Sequence, residues 1–386
     1  MWNRIKIFAA ALFLLGTAFL PLALAVEEGG VAPKALVEKL REECRQILRM
    51  TYQSDEAFVR SGAIRAAGES LDPELIDLVV EGTLDFYPTT RQFALQALEK
   101  MSKDAALQAA KRLLDDSNIW VRSVALEMVA ELGDRESLST IRKQLDAPDR
   151  MVRLAAAYAL FRLGEEKYYA HLVDALGAGD AVQRYQAISY LGQIGDEKSL
   201  QHLAALLESE EPDVVTNALK AIGEKADIVL LRPLIRLSLS PNASVRGRAL
   251  LAMGYLPPVA VLKELKPFCN DADPVVRLSA ALSLFRLNSE DCRRVFSDLL
   301  QSPDFGMRSM TARVLGETPL PNRAQLLKQV LNDPVTRVRT AAVRATGMMG
   351  GAAAFQLLLP MLNDPQAVIR AYAAGNLIRV MGEKHG

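Results

Sequence analysis

An arginine returns every 31 residues: Arg60, Arg91, Arg122, Arg153, Arg184, Arg246, Arg277, Arg308, Arg339 and Arg370, with Val215 the single interruption. The spacing is undisturbed from end to end. A fixed period of this length specifies a repeat array, in which each unit buries its apolar face against its neighbours.

Neighbouring columns keep the same register. Three residues after the arginine stand Ala63, Ala94, Ala125, Ala156, Ala187, Ala218, Ala249, Ala280, Ala342 and Ala373, with Thr311 as the exception. Six residues before it comes Asp85, Asp116, Asp271, Asp333 or Asp364, or a serine such as Ser54 or Ser240; Ala147 and Ala178 depart, with Asp149 and Asp180 two residues further on. These short polar side chains read as helix starts that accept from free N–H groups. Pro148, Pro241, Pro303, Pro334 and Pro365 read as first-turn prolines.

Each unit reads as two helices. Val121, Ala125, Leu126 and Val129 make one 3.6-residue stripe, and Leu138, Ile141 and Leu145 make the second. Glycine often follows the first stripe, either at Gly68, Gly192, Gly223, Gly254, Gly316 and Gly347 or at Gly133, Gly164 and Gly195. No β alternation is present. Only 6% of residues are aromatic while half are apolar, which suits thin stacked layers. The expected fold is all-α: an α-solenoid of about eleven helix pairs over 34–386, a curved rod on the order of 100 Å long.

Asp273-Pro274-Val275-Val276-Arg277, followed by Ala280 and Leu284, resembles the HEAT-like repeats of bacterial proteins. The resemblance covers about 34–381 and implies a protein-binding scaffold whose arginine helices line a concave face. It also implies a structural ladder linking successive turns, formed by the ten arginines with Asp85, Asp116, Asp271, Asp333 and Asp364. Val215 interrupts that ladder and marks a point of altered curvature.

Arg4 and Lys6 precede an apolar run from Ile7 to Leu24, and Ala23-Leu24-Ala25 fits a signal-peptidase site. Residues 1–25 therefore read as a cleaved signal peptide and 26–33 as a short flexible segment. The expected location is the bacterial periplasm; an uncleaved inner-membrane anchor is the alternative.

Lysine plus arginine and aspartate plus glutamate both number 46, so no basic surface points to nucleic acid or to anionic membranes. The alignment of the second helices places Cys292 eight residues ahead of Cys269 in the repeat, about 12 Å along a helix, so no intramolecular disulfide is expected. Phosphate loops, GxSxG, CxxC and HExxH are missing. His171 and His202 occupy one column, but no third ligand joins them. The His-Glu pairs through which some helical-repeat enzymes bind iron are also missing, since leucine follows each histidine. No enzyme activity, cofactor or metal is expected; a metal-binding or catalytic envelope protein using these histidines and nearby acids is the alternative.

Binding then falls to offsets +1, +5 and +9 of the arginine helices. In the middle units these are Leu154, Tyr158 and Arg162, then Tyr185, Ser189 and Gln193, a tyrosine-rich patch suited to a protein or peptide of the envelope. Leu251, Leu278 and Leu282 form a second, apolar row. A third reading is self-association through an exposed end unit, for which the C-terminal unit, loosened by Gly375 and Gly382, is the candidate.

Overall fold

The 31-residue unit becomes two helices because its polar loop residues take over backbone groups that a continuous helix would have paired. A computed structural model describes residues 34–382. The leader and cleavage motif lie outside the described residues. In chain order the α-helices are α1 (Lys34–Tyr52), α2 (Ala57–Ser70), α3 (Ile76–Gly82), α4 (Pro88–Met101), α5 (Lys103–Leu113), α6 (Ile119–Glu131), α7 (Leu138–Lys143), α8 (Arg150–Arg162), α9 (Tyr169–Asp174), α10 (Ala181–Ile194), α11 (Glu197–Ala205), α12 (Pro212–Ile222), α13 (Leu231–Ser238), α14 (Ala243–Met253), α15 (Pro258–Leu265), α16 (Pro274–Arg286), α17 (Arg293–Leu300), α18 (Phe305–Glu317), α19 (Arg323–Leu331), α20 (Thr336–Met349), α21 (Gly351–Leu358) and α22 (Ala367–Gly382). Even numbers carry the arginine column. The described residues contain no strand, and the fold is an α-solenoid.

All eleven members of the small column, Thr311 included, are 0% exposed. Thr311 satisfies its hydroxyl on the Met307 carbonyl at 2.8 Å within its own helix. The two glycine columns serve different needs. Gly133, Gly164 and Gly195 take left-handed φ of 72°, 99° and 61° where the chain leaves an arginine helix. Gly192 instead permits close approach: a Cβ there would lie 2.7 Å from the Ala221 Cβ in the next arginine helix.

The loop column needs correction. The N-caps are Asn118, Asp149, Asp180, Asn242 and Asp273, four residues before the arginine position. Asp85, Asp116, Asp271, Asp333 and Asp364, at six before it, accept from the N–H two residues on and so shape the turn rather than cap the helix. Pro148 and its equivalents sit inside that turn; first-turn prolines are Pro88, Pro212 and Pro274.

The chain forms two compact units, one of residues up to 102 together with those from 312 onward, the other Lys103–Thr311. In the first unit, α22 packs on α1, α2 and α20. It is buried at Val368, Ile369, every residue from Ala371 to Ile378, and Val380. A helix apolar on all sides belongs inside. A Cβ on Gly62 would come within 2.5 Å of Val368 Cγ2. Arg344 crosses the Tyr372 ring at 5.4 Å and donates from Nε to Glu69 at 2.8 Å. The expectation of a loose, exposed C-terminal end is therefore overturned: Gly375 is a site of close approach to Ala66, not of fraying.

The second unit corrects the cysteine reading. Cys269 and Cys292 form a disulfide with Cα atoms 5.4 Å apart. Neither cysteine lies in the straight α-helix that the axial offset assumed: Cys269 sits in the 3-10 segment Lys266–Asn270 that follows α15, and Cys292 is a left-handed residue, φ 64°, just ahead of α17. The axial offset that was expected to keep the sulfurs apart therefore does not apply. Cys44 is buried and free.

Candidate partner-binding surface

The arginines are occupied by structure. Nη1 of Arg60, Arg153, Arg246, Arg277, Arg339 and Arg370 donates to carbonyls six and five residues back in its own loop. Arg91 and Arg308 do the same, and Arg122 reaches the Asp116 carbonyl. Nε and Nη2 also grip an aspartate of the next loop at Arg60 (Asp85), Arg246 (Asp271) and Arg339 (Asp364). Burial pushes the Asp85 and Asp271 carboxyls up, but their arginines and loop N–H donors more than offset it, and both sit below the ordinary range. Arg184 lacks such an aspartate and pairs instead with Glu211 at 2.8 and 2.9 Å. Val215 is buried in the apolar layer.

Beside this framework, the second unit carries a polar network across α6, α8 and α10. Tyr158 and Tyr190 stack with ring centroids 4.3 Å apart and planes 10° from parallel. The Tyr158 hydroxyl lies 2.5 Å from Glu131 Oε1 and 3.0 Å from Gln193 Oε1; the Tyr190 hydroxyl donates to Glu127 at 2.5 Å. Gln186 Nε2 donates to the Tyr190 hydroxyl at 2.8 Å, and Arg162 to Glu131 at 2.9 Å. Burial drives both tyrosine hydroxyls well above their usual range, with the facing carboxylates adding to it.

Leu154, Tyr158 and Leu278, expected on a free surface, are buried. Offsets +1 and +5 there face the adjacent arginine helix. Tyr185, Leu251 and Leu282 are half-buried, while Arg162, Ser189 and Gln193 are exposed. Glu127 and Glu131 escaped the sequence reading, and Tyr190, though near the tyrosine-rich patch in sequence, was not counted in it. The legible signal was Tyr190, which stands six residues after the arginine where Ala66, Ala97, Ala159, Ala221, Ala252 and Ala345 stand elsewhere. A ring in a small column needs a matching neighbour, and Tyr158 supplies it.

Ser189 and Gln193, but not Arg162, border a cleft of about 440 Å³ between α10, α12 and the end of α14. Tyr185, Ser189 and Gln193 form one wall, Asn217 and Lys220 the other, with Tyr255 at the end. Gly192 and Ala221 lie within it, and Lys225 closes its end by donating to the Gly192 carbonyl. Gly223, with φ 45°, ends α12 and lines the cleft. The Gln193 amide donates to the Ser189 hydroxyl at 3.5 Å. The cleft is equipped to hold a chain by aromatic contact and amide hydrogen bonds.

The histidines lie elsewhere. His171 packs beside Tyr168 and His202 beside Tyr169, at 5.5 and 6.2 Å between ring centroids. Among the described residues no group of three or more His, Cys, Asp or Glu is placed to hold a metal ion.

This architecture defines the class as a helical-repeat solenoid. The HEAT repeats family model matches residues 42–128, 108–182, 228–305 and 293–378, and the chain belongs to that family. The PBS lyase HEAT-like repeat matches 183–209. No curated protein matches the chain. Among solved structures, it is similar to the complex of CpcE and CpcF of phycocyanin lyase from Nostoc, with 21% identity over 60% of this chain and 94% of that one, TM-score 0.38. It is also similar to human deoxyhypusine hydroxylase, with 21% identity over 67% of this chain and 99% of that one, TM-score 0.31. For a triple-lysine mutant of Kap121p the identity is 14% over 86% of this chain and 45% of that one, TM-score 0.41.

Proposed function

We propose that this chain is a non-enzymatic scaffold of the bacterial envelope that binds an extended segment of a protein or peptide across the arginine-helix face of its second unit. A HEAT-repeat solenoid fits a protein-binding scaffold. The cleft between α10 and α12 carries the reading: Tyr185 and Tyr255 offer rings, Gln193 and Asn217 offer amides, and Lys220 offers a charge at its edge. Tyrosine combines large contact area with a polar tip at low entropic cost. Export is supported by the apolar run ending at Ala23-Leu24-Ala25 and by the Cys269–Cys292 disulfide, which suits an oxidising compartment.

Photo-crosslinking in living cells tests this. A photoreactive side chain at Ser189 is expected to trap a discrete partner, whereas one at His171 is not. Tyr185→Ala with Lys220→Ala is expected to cut the yield about tenfold or more, the scale of a lost anchor. Equal adducts from both positions, or a yield indifferent to the double substitution, reject the cleft. N-terminal sequencing of the mature protein, expected to begin at Val26, tests export separately.

A further inference from the structure

The first unit exposes an apolar edge that the repeat does not require. Phe58 is 67% exposed, Leu84 69%, Phe86 94% and Tyr87 43%. All four lie at the loops entering α2 and α4. The column of Phe86 holds Pro148, Pro241, Pro303, Pro334 and Pro365 elsewhere, and that of Leu84 holds Asp115, Asp146, Glu208 and Asn332. Leu239, Trp120 and Val182 are single exposed apolar residues in the columns of Leu84 and Phe58, but among the described residues only here do four large apolar side chains gather at two adjacent loops. An exposed cluster of this kind is the signature of a contact site.

Its rim is acidic. Asp55, Glu56 and Glu81 are exposed, and none has an ion-pair partner among the described residues. The cations nearest in sequence are committed to structure: Arg60 holds Asp85 and its own loop, Arg91 donates to the Asp85 and Phe86 carbonyls, and Arg49 pairs with Asp77. Such a rim repels anionic lipid headgroups and attracts basic residues. The apolar side chains come from two adjacent repeats, whose helices sit about 9–10 Å apart. That distance matches the rise of about 10 Å between positions i and i+7 on one face of a helix.

We infer that Phe58, Leu84, Phe86 and Tyr87, edged by Asp55, Glu56 and Glu81, form a docking surface for a basic amphipathic helix of a partner protein. The surface lies apart from the cleft and does not depend on it.

The probe is a fluorescently labelled synthetic helix with leucine on one face and lysine flanking it, compared with a scrambled peptide of the same composition. Binding is read by anisotropy against the full mature chain. The amphipathic peptide is expected to bind, the scrambled one at least tenfold more weakly. Phe58→Ser with Phe86→Ser, and separately Asp55→Lys with Glu56→Lys and Glu81→Lys, are each expected to weaken binding at least tenfold. Both sets change exposed residues, and unchanged thermal melts confirm the fold; if one set unfolds, the other decides. Tyr185→Ala with Lys220→Ala is expected to leave this binding intact, which separates the outcome from the fate of the cleft. Equal affinity for the scrambled peptide, or wild-type affinity in either folded variant, overturns the inference. So does retention on phosphatidylglycerol vesicles with no binding of the peptide.

Discussion

Burial holds the Glu127 carboxyl above its ordinary range; the Tyr190 hydroxyl opposes this in part, and the nearby Glu131 carboxylate adds to it. The neutral form is thus favoured in the fold. The group contributes stability below the ordinary carboxylate pKa and loses it as pH rises through the raised value. Glu127→Gln keeps an acceptor for Tyr190 and removes the buried charge. It is expected to raise the melting midpoint near neutral pH by roughly 2–4 °C and to flatten its fall as pH rises from the ordinary carboxylate range towards neutral. Melting curves across that range check it, and a lower midpoint for the variant at neutral pH counts against the assignment. Asp271 works in the opposite sense: its lowered carboxyl stabilises above the unfolded pKa and loses that contribution as pH falls through the folded value. The alanine column was legible because a small residue at a fixed period has one reading. Tyr158 was not, because whether offset +5 meets water or a neighbouring helix depends on the angle between layers, which no single column encodes.

At the scale of the element, the two glycine columns were visible as columns, but their separate tasks were not. One answers to backbone φ and the other to the distance between helices. The Asx turn two residues ahead of the helix cap was misplaced for a related reason, since aspartate suits both positions. The disulfide shows the larger gap. Repeat register predicts which residues are equivalent, but not that one cysteine falls in a 3-10 segment and the other in a left-handed turn, outside the straight helices it assumes. Cys269 and Cys292 tie the segment that follows α15 to the start of α17, closing a loop of 23 residues. Replacing both by serine is expected to cost about 3 kcal/mol. Chemical denaturation of oxidised, reduced and double-serine protein checks this; the last two should agree, and a midpoint shared by all three would deny the crosslink any stabilising role.

At the scale of the whole chain, the first unit is assembled from sequence-distant ends. Nothing in a periodic sequence announces this, because every arginine helix carries the same stripe and any of them could face any other. The sole hint was α22, where apolar and small residues run almost without interruption from Ala367 to Ile378. Removing residues 351–386 is expected to bare the α2 face around Gly62 and Ala66. Amide hydrogen exchange in α2 should then accelerate by about tenfold or more, in line with a local loss of at least about 1.4 kcal/mol. Unchanged protection in α2 would mean that α22 contributes nothing to holding it.

The pairing of α2 with α22 also sets a timetable. Ala66 leaves the ribosome some three hundred residues before the helix that will cover it. At about 5–20 residues per second the gap lasts roughly fifteen seconds to a minute. Throughout that interval a fully formed α2 would present an uncovered oily flank, so the nascent protein is most in need of chaperone protection near its beginning, long after that part has been translated.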